Sequence, residues 1–125
     1  MSGDALGYFN QLMASLEIPY TFIEWKEKPP DDRYWVSDYT ESAMTTMEED
    51  GRQETTIFLR GFTRREWMLL ERDKETIKKH ITITAILPNG NGIALFYEGA
   101  QVVPTWDAEL KSIKINLKMQ EWSVN

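Results

Sequence analysis

The stretch from Gly51 to Ile81 constrains the fold most, because it sets a turn, a strand and a helix in immediate succession. Asp50-Gly51 closes an acidic run and is a turn signal, since glycine reaches positive φ without a Cβ penalty. Gln53 to Phe62 is then rich in Thr, Ile and Phe. Thr55, Ile57 and Leu59 fall on one face and Thr56, Phe58 and Arg60 on the other, the period of a strand with both faces at least partly covered. Thr63 to Glu66 matches a capping box, which predicts a helix from Arg64 to about His80. Phe62 and Trp67 stand where a hydrophobic staple would fix the angle between strand and helix.

The rest of the chain supplies partners for that corner. Leu6, Phe9, Leu12, Met13 and Leu16 form the stripe of a short amphipathic helix, with Ser2 or Asp4 as its cap, and Ile18-Pro19 ends it. Tyr20 to Trp25 alternates as an aromatic-rich strand, Lys28-Pro29-Pro30-Asp31-Asp32 reads as a loop, and Tyr34 to Tyr39 resumes as strand. In the second helix Trp67, Leu70 and Ile77 are expected to face the core. Lys78, Lys79 and His80 in its last turn complement the macrodipole, whereas Arg64 and Arg65 at its start oppose it. The two arginines therefore need a partner, either the chain's own acidic residues or another subunit. Ile81 to Leu87 is compatible with a strand or a ragged helix end.

Pro88-Asn89-Gly90-Asn91-Gly92 is a turn, Ile93 to Tyr97 a strand, and Glu98-Gly99-Ala100 reads as a second turn before Gln101-Val102-Val103. The cleanest strand closes the chain: Ile113, Ile115, Leu117 and Met119 alternate with Lys114, Asn116, Lys118 and Gln120. Trp122 falls on the polar side of that alternation, as a lid over a neighbouring loop or an anchor at an interface. The order predicts one α+β domain over residues 1–125, with a mainly antiparallel sheet and two helices on one face. Between its second and third strands, Thr40 to Arg52 is a long acidic β-hairpin loop whose only large apolar side chains are Met44 and Met47. That loop is either a solvated tip or an element that meets a partner.

Composition narrows the chemistry. Cysteine is absent and His80 is the single histidine, which removes thiolate sites and most metal-ligand and catalytic-triad arrangements. A net charge of −6 opposes binding to phosphate backbones, and only Arg64-Arg65 and Lys78-Lys79 are adjacent cations. Gly90 and Gly92 lack the Lys-Ser/Thr that a phosphate loop needs. Carboxylate pairs such as Asp31-Asp32 and Glu48-Glu49, and Glu24 beside them, sit in loops or strand ends where no desolvation would raise a pKa. No run of apolar residues is long enough for a membrane span, and no leader pattern opens the chain. The expectation is a non-enzymatic protein without cofactor or metal, independent of membranes and of sequence-specific nucleic acid, and cytosolic where it is made.

Across nearly the whole chain, the helix ALGYFNQLMASLEIPY, the aromatic segment DRYWVSDYTE, the hairpin into ETTIFLRGFTRREWMLLE and the late GIALFYEGAQVVPTWDAELKSIKINLKMQEW resemble the tail terminator (tail completion, head-tail joining) proteins of long-tailed bacteriophages and prophages. The resemblance implies a virion structural protein, assembled in the host cytoplasm. It would form a hexameric ring with itself, stop the tail tube, and contact both the tail tube protein and the head-tail connector protein. A neck, head-completion or minor capsid protein is the nearest alternative, and a small cytosolic peptide-binding module a further one. The resemblance transfers no catalytic residue. From the residues themselves the candidate subunit or partner interface is Met44, Met47, Glu48, Glu49, Asp50 and Arg52 of the acidic loop, with Arg64, Arg65 and Trp122.

Overall fold

The computed structural model describes residues 1–41 and 53–123. Its elements run α1 (Gly3–Ser15), β1 (Tyr20–Phe22), β2 (Tyr34–Glu41), β3 (Gln53–Thr63), α2 (Trp67–Ile81), β4 (Ile83–Ile86), β5 (Gly92–Val102) and β6 (Lys111–Trp122). The strands form one sheet in the order β1-β2-β3-β6-β5-β4, antiparallel throughout except for the β1–β2 pair. The fold is thus α+β, as the alternating strands and the two helical stripes predict.

Alternation decides which face is covered. Ile57 and Leu59 of β3, Ile113, Ile115, Leu117 and Met119 of β6, and Ile93 and Leu95 of β5 point to one side. There they pack with Phe9 and Met13 of α1 and Leu70, Ile77 and Ile81 of α2. Ser2 is the N-cap of α1, its hydroxyl accepting the Ala5 N–H at 3.1 Å. Ile81 closes α2 and Ile83 to Ile86 is strand, which settles the segment that the sequence left open.

Three expectations give way. The Thr63–Glu66 capping box and the Phe62–Trp67 staple do not form. Thr63 instead ends β3 opposite Lys111, its hydroxyl donating to the Asp32 carbonyl at 2.6 Å and accepting the Arg65 N–H at 3.0 Å. Helix α2 starts at Trp67 with Glu66 as an N-cap that makes no side-chain bond, and Phe62 stacks on Tyr34 with ring centroids 5.3 Å apart. Pairing of β3 with β6 carries the strand through the residues that a local cap would need. The aromatic strand beginning at Tyr20 stops at Phe22, because Ile23 has φ 71° and the Glu24 N–H donates to the Phe22 carbonyl at 2.9 Å, a γ-turn. Glu98-Gly99-Ala100 is no turn: β5 runs on to Val102 and absorbs one residue as a bulge between Tyr97 and Gly99.

Three polar networks fasten the helices. Trp35 is wholly buried and donates its indole N–H to Asp73 of α2 at 2.8 Å, and Asp73 also accepts the Arg33 Nε at 2.9 Å. Near α1, Tyr20 bonds Asn10 Oδ1 at 2.7 Å and Ser37 Oγ at 2.6 Å, and burial pushes its phenol up to about 12. Glu121, on the covered side of β6, accepts the Ser2 N–H at 3.1 Å and the Asn91 side-chain amide at 2.9 Å. Burial pushes the Glu121 carboxyl up, but those donors outweigh it and hold the group below the ordinary glutamate value of 4.5. A depressed folded-state pKa adds stability that is complete above the unfolded value and lost as pH falls through the folded one. Glu121→Gln is expected to flatten the loss of stability below pH 4.5. Melts at stepped pH check this, and an unchanged acid limb would count against the network.

Candidate functional interface

The face opposite the helices carries Tyr34, Val36 and Asp38 of β2, Phe58, Arg60 and Phe62 of β3, and Lys114, Asn116 and Lys118 of β6, set by strand alternation. Its charges are matched across strands. Arg60 meets Asp38 at 2.8 Å, Lys118 lies 3.3 Å from Glu98 and 3.6 Å from Glu54, and the Lys114 ammonium sits 4.2 Å above the Phe58 ring. Asp38 and Asn116 flank Phe58 in register, and one carboxylate oxygen of the first and the amide oxygen of the second are buried without a hydrogen-bond donor among the described residues.

At one end of the sheet three connections converge: Lys28–Arg33 before β2, Arg64–Glu66 after β3, and Val103–Leu110 between β5 and β6. Pro29, Pro30, Tyr34, Phe62, Arg64 and Leu110 border a cleft of about 210 Å³ there. The Val103–Leu110 loop is tightly held. Thr105 donates to the carbonyls of Asp107 and Leu110 at 2.6 and 2.7 Å, and Asp107 Oδ1 accepts the Glu109 N–H at 2.9 Å. From this fixed loop Trp106 projects fully exposed. A rigid, exposed tryptophan is the kind of side chain that anchors an interface.

The candidate residues separate on this frame. Arg64 does not lie in a helix, so its presumed conflict with the macrodipole disappears. It forms an ion pair with Asp107 of its own chain, which raises the guanidinium pKa and lowers that of the carboxylate. Arg65 also precedes α2, and its carbonyl accepts the Lys111 ammonium at 2.8 Å. Trp122 lies across Gly92 at the end of the 88–91 turn. A Cβ added to Gly92 would meet its ring at 2.5 Å, so this tryptophan is built into its own sheet. Met44, Met47, Glu48, Glu49, Asp50 and Arg52 lie outside the described residues.

Trp106 is not among the interface candidates that the sequence offers. A usable signal was present, since a tryptophan between Pro104-Thr105 and Asp107 sits in turn chemistry with no alternating neighbours to bury it.

The described carboxylate pair that the sequence offered as an acid and base is occupied elsewhere. Asp31 pairs with Lys28 at 3.2 Å, and the Arg33 backbone N–H and guanidinium hold the Asp32 carboxyl below its usual range. A depressed carboxylate is a poor general acid. Among the described residues no three His, Asp or Glu side chains are grouped to hold a metal ion, and no helix is long and apolar enough to cross a membrane. No protein-family model matches the chain, and no curated protein matches it in sequence.

Proposed function

We propose that the chain is a non-enzymatic assembly protein of a long-tailed phage or prophage virion, a tail terminator that forms a ring with itself, stops the tail tube and joins it to the head connector. The observation that carries this reading is a sheet covered on one face whose margins and Trp106 loop stay exposed, with no grouped catalytic side chains among the described residues. Trp106 stands exposed on a hydrogen-bonded loop, and at both margins strands run on past their neighbours. The sequence resemblance supplies the ring, the tube and the connector as partners. A neck or head-completion protein shares the same surfaces and meets different neighbours.

The half-open edge of β5 also favours a second reading, a module that takes an extended peptide as an added strand. Mass in solution separates the two. A closed oligomer that caps tail tubes in reconstitution supports the terminator, and a monomer that captures peptides supports the module. Trp106→Ala is expected to change folding stability by no more than about 0.5 kcal/mol, as for other exposed positions. It should weaken assembly by about tenfold or more, as loss of an interface tryptophan does. Unaltered assembly would remove Trp106 from the interface.

A further inference from the structure

Both margins of the sheet are half finished. Strand β4 pairs with β5 only from Gly92 to Leu95, so Phe96 to Val102, paired with β6 on its inner side, has no strand on its outer side among the described residues. On the other margin β1 pairs with β2 only from Trp35 to Ser37, because the γ-turn at Ile23 leads the chain away, and among the described residues no strand lies on the outer side of Asp38 to Glu41.

The backbone groups on these stretches point outward. Val103 donates to the Ser112 carbonyl at 3.0 Å, so Val103 and, by alternation, Gln101 turn towards β6. Ala100 and Val102 therefore direct N–H and C=O away from the sheet. On β2 the Trp35 N–H donates to the Pro19 carbonyl and the Ser37 carbonyl accepts the Ile23 N–H, so both face the β1 side. Tyr39 and Glu41 project the same way, past the end of β1.

We infer that these edges are the two halves of one interface between copies of this chain, with the free end of β2 from one copy adding to the free end of β5 on the next. The inference deepens the proposed ring, on which it rests, by naming the contact that closes it. Strand direction fits. Successive antiparallel pairings β2–β3, β3–β6 and β6–β5 make β2 and β5 run oppositely within a protomer, so a copy rotated about an axis along the strands brings them together as an antiparallel pair. The edges lie on opposite margins, so the contact is head-to-tail, the type that generates rings.

The register follows from faces and obstacles. Val102 shares the rung of Ile113, Gly61 and Trp35, on the helix side of the sheet, and Tyr39 points to that same side. Setting Tyr39 opposite Val102 places Glu41 opposite Ala100 and keeps β1 and β4 clear of the joint. It needs a stagger of about four residues, near 13 Å, of the kind that closing a sheet on itself requires. This register covers Val102, 65% exposed, with Tyr39, 37% exposed, and brings the Trp106 loop alongside the β1 margin, where Ile23 is 54% exposed. Val102 and Ile23 gain cover, Tyr39 gains a contact beside the Phe22 ring on which it already stacks at 6.0 Å, and Trp106 finds a neighbour in the same movement.

The absence of cysteine makes the register directly testable. In this pairing Thr40 faces Gln101 as a non-hydrogen-bonded pair, whose Cα atoms approach to about 4.5 Å, close enough for a disulfide. Mild oxidation of the Thr40→Cys/Gln101→Cys variant is expected to give a covalent ladder ending at the full oligomer. Thr40→Cys/Glu98→Cys, out of register, should give none. Ala100→Pro removes one outward donor without touching the β6 ladder and is expected to raise the concentration for half-assembly by about tenfold. A closed oligomer that ignores both variants overturns this interface and leaves the terminator reading standing, whereas a wild-type chain that stays monomeric at every concentration overturns both. Should Ala100→Pro misfold, the cross-linking ladder still decides.

Discussion

Trp35→Ala is expected to cost about 4 kcal/mol or more, close to the limit for a single core truncation and a large part of the whole stability of a domain this size. Trp35 is the largest wholly buried side chain, and its loss acts in two ways. It empties the space over Gly61, where the ring lies too close for any Cβ, and the neighbours are strands that cannot close in. It also removes a donor from Asp73, a buried carboxylate left with the Arg33 guanidinium alone. Trp35→Phe separates the terms, because it keeps most of the volume and loses the N–H, and should cost about 1 to 3 kcal/mol. Urea melts of the three proteins give the numbers. A Trp35→Ala loss under about 1 kcal/mol would mean that the Trp35–Asp73 link does not hold α2 to the sheet.

What the sequence disclosed and what it hid divide by range. Ile113 to Met119 and Thr55 to Leu59 declare a two-faced sheet through their own period, and α1 declares itself through its stripe and Ser2. Such signals are complete within a dozen residues. Asp73 was invisible because a charged residue inside a helix reads as solvent-facing, while the groups that bury it, Arg33 and Trp35, lie 40 and 38 positions away. The corner after β3 failed for the same reason. Thr63 has the local chemistry of a cap, but its hydroxyl is drawn to Asp32, a residue of another loop. Gly99 read as a turn because a bulge leaves the same local mark. The proposed interface was the least legible part. An unpaired edge is a property of the neighbours that β2 and β5 lack, and the exposure of Trp106 is a property of the loop that holds it.

Gly61→Ala is the second large effect expected, and it runs against the usual benefit of replacing glycine in a strand. Alanine would stiffen the unfolded chain and favour the folded one by about 0.4 to 1 kcal/mol where space allows. At Gly61 space does not allow it. The new Cβ would meet three atoms of the Trp35 ring at 2.7 Å, and that ring is pinned by Asp73 and buried on all sides. Overpacking a fixed core ring costs about 1 to 3 kcal/mol, so a net loss of about 2 kcal/mol is expected. Gly92 provides the contrast. Its Cβ would meet Trp122 as closely, at 2.5 to 2.7 Å, but Trp122 is the last residue of β6 and only half-buried, at the margin of the core where the surroundings yield more readily than around Trp35. Gly92→Ala should therefore cost less than Gly61→Ala, and in a Trp122→Ala background it should become stabilising. A double-mutant cycle at each pair reads the coupling directly. Equal losses at the two glycines, or a gain at Gly61, would show that Trp35 is not the rigid element around which β2 and β3 are matched.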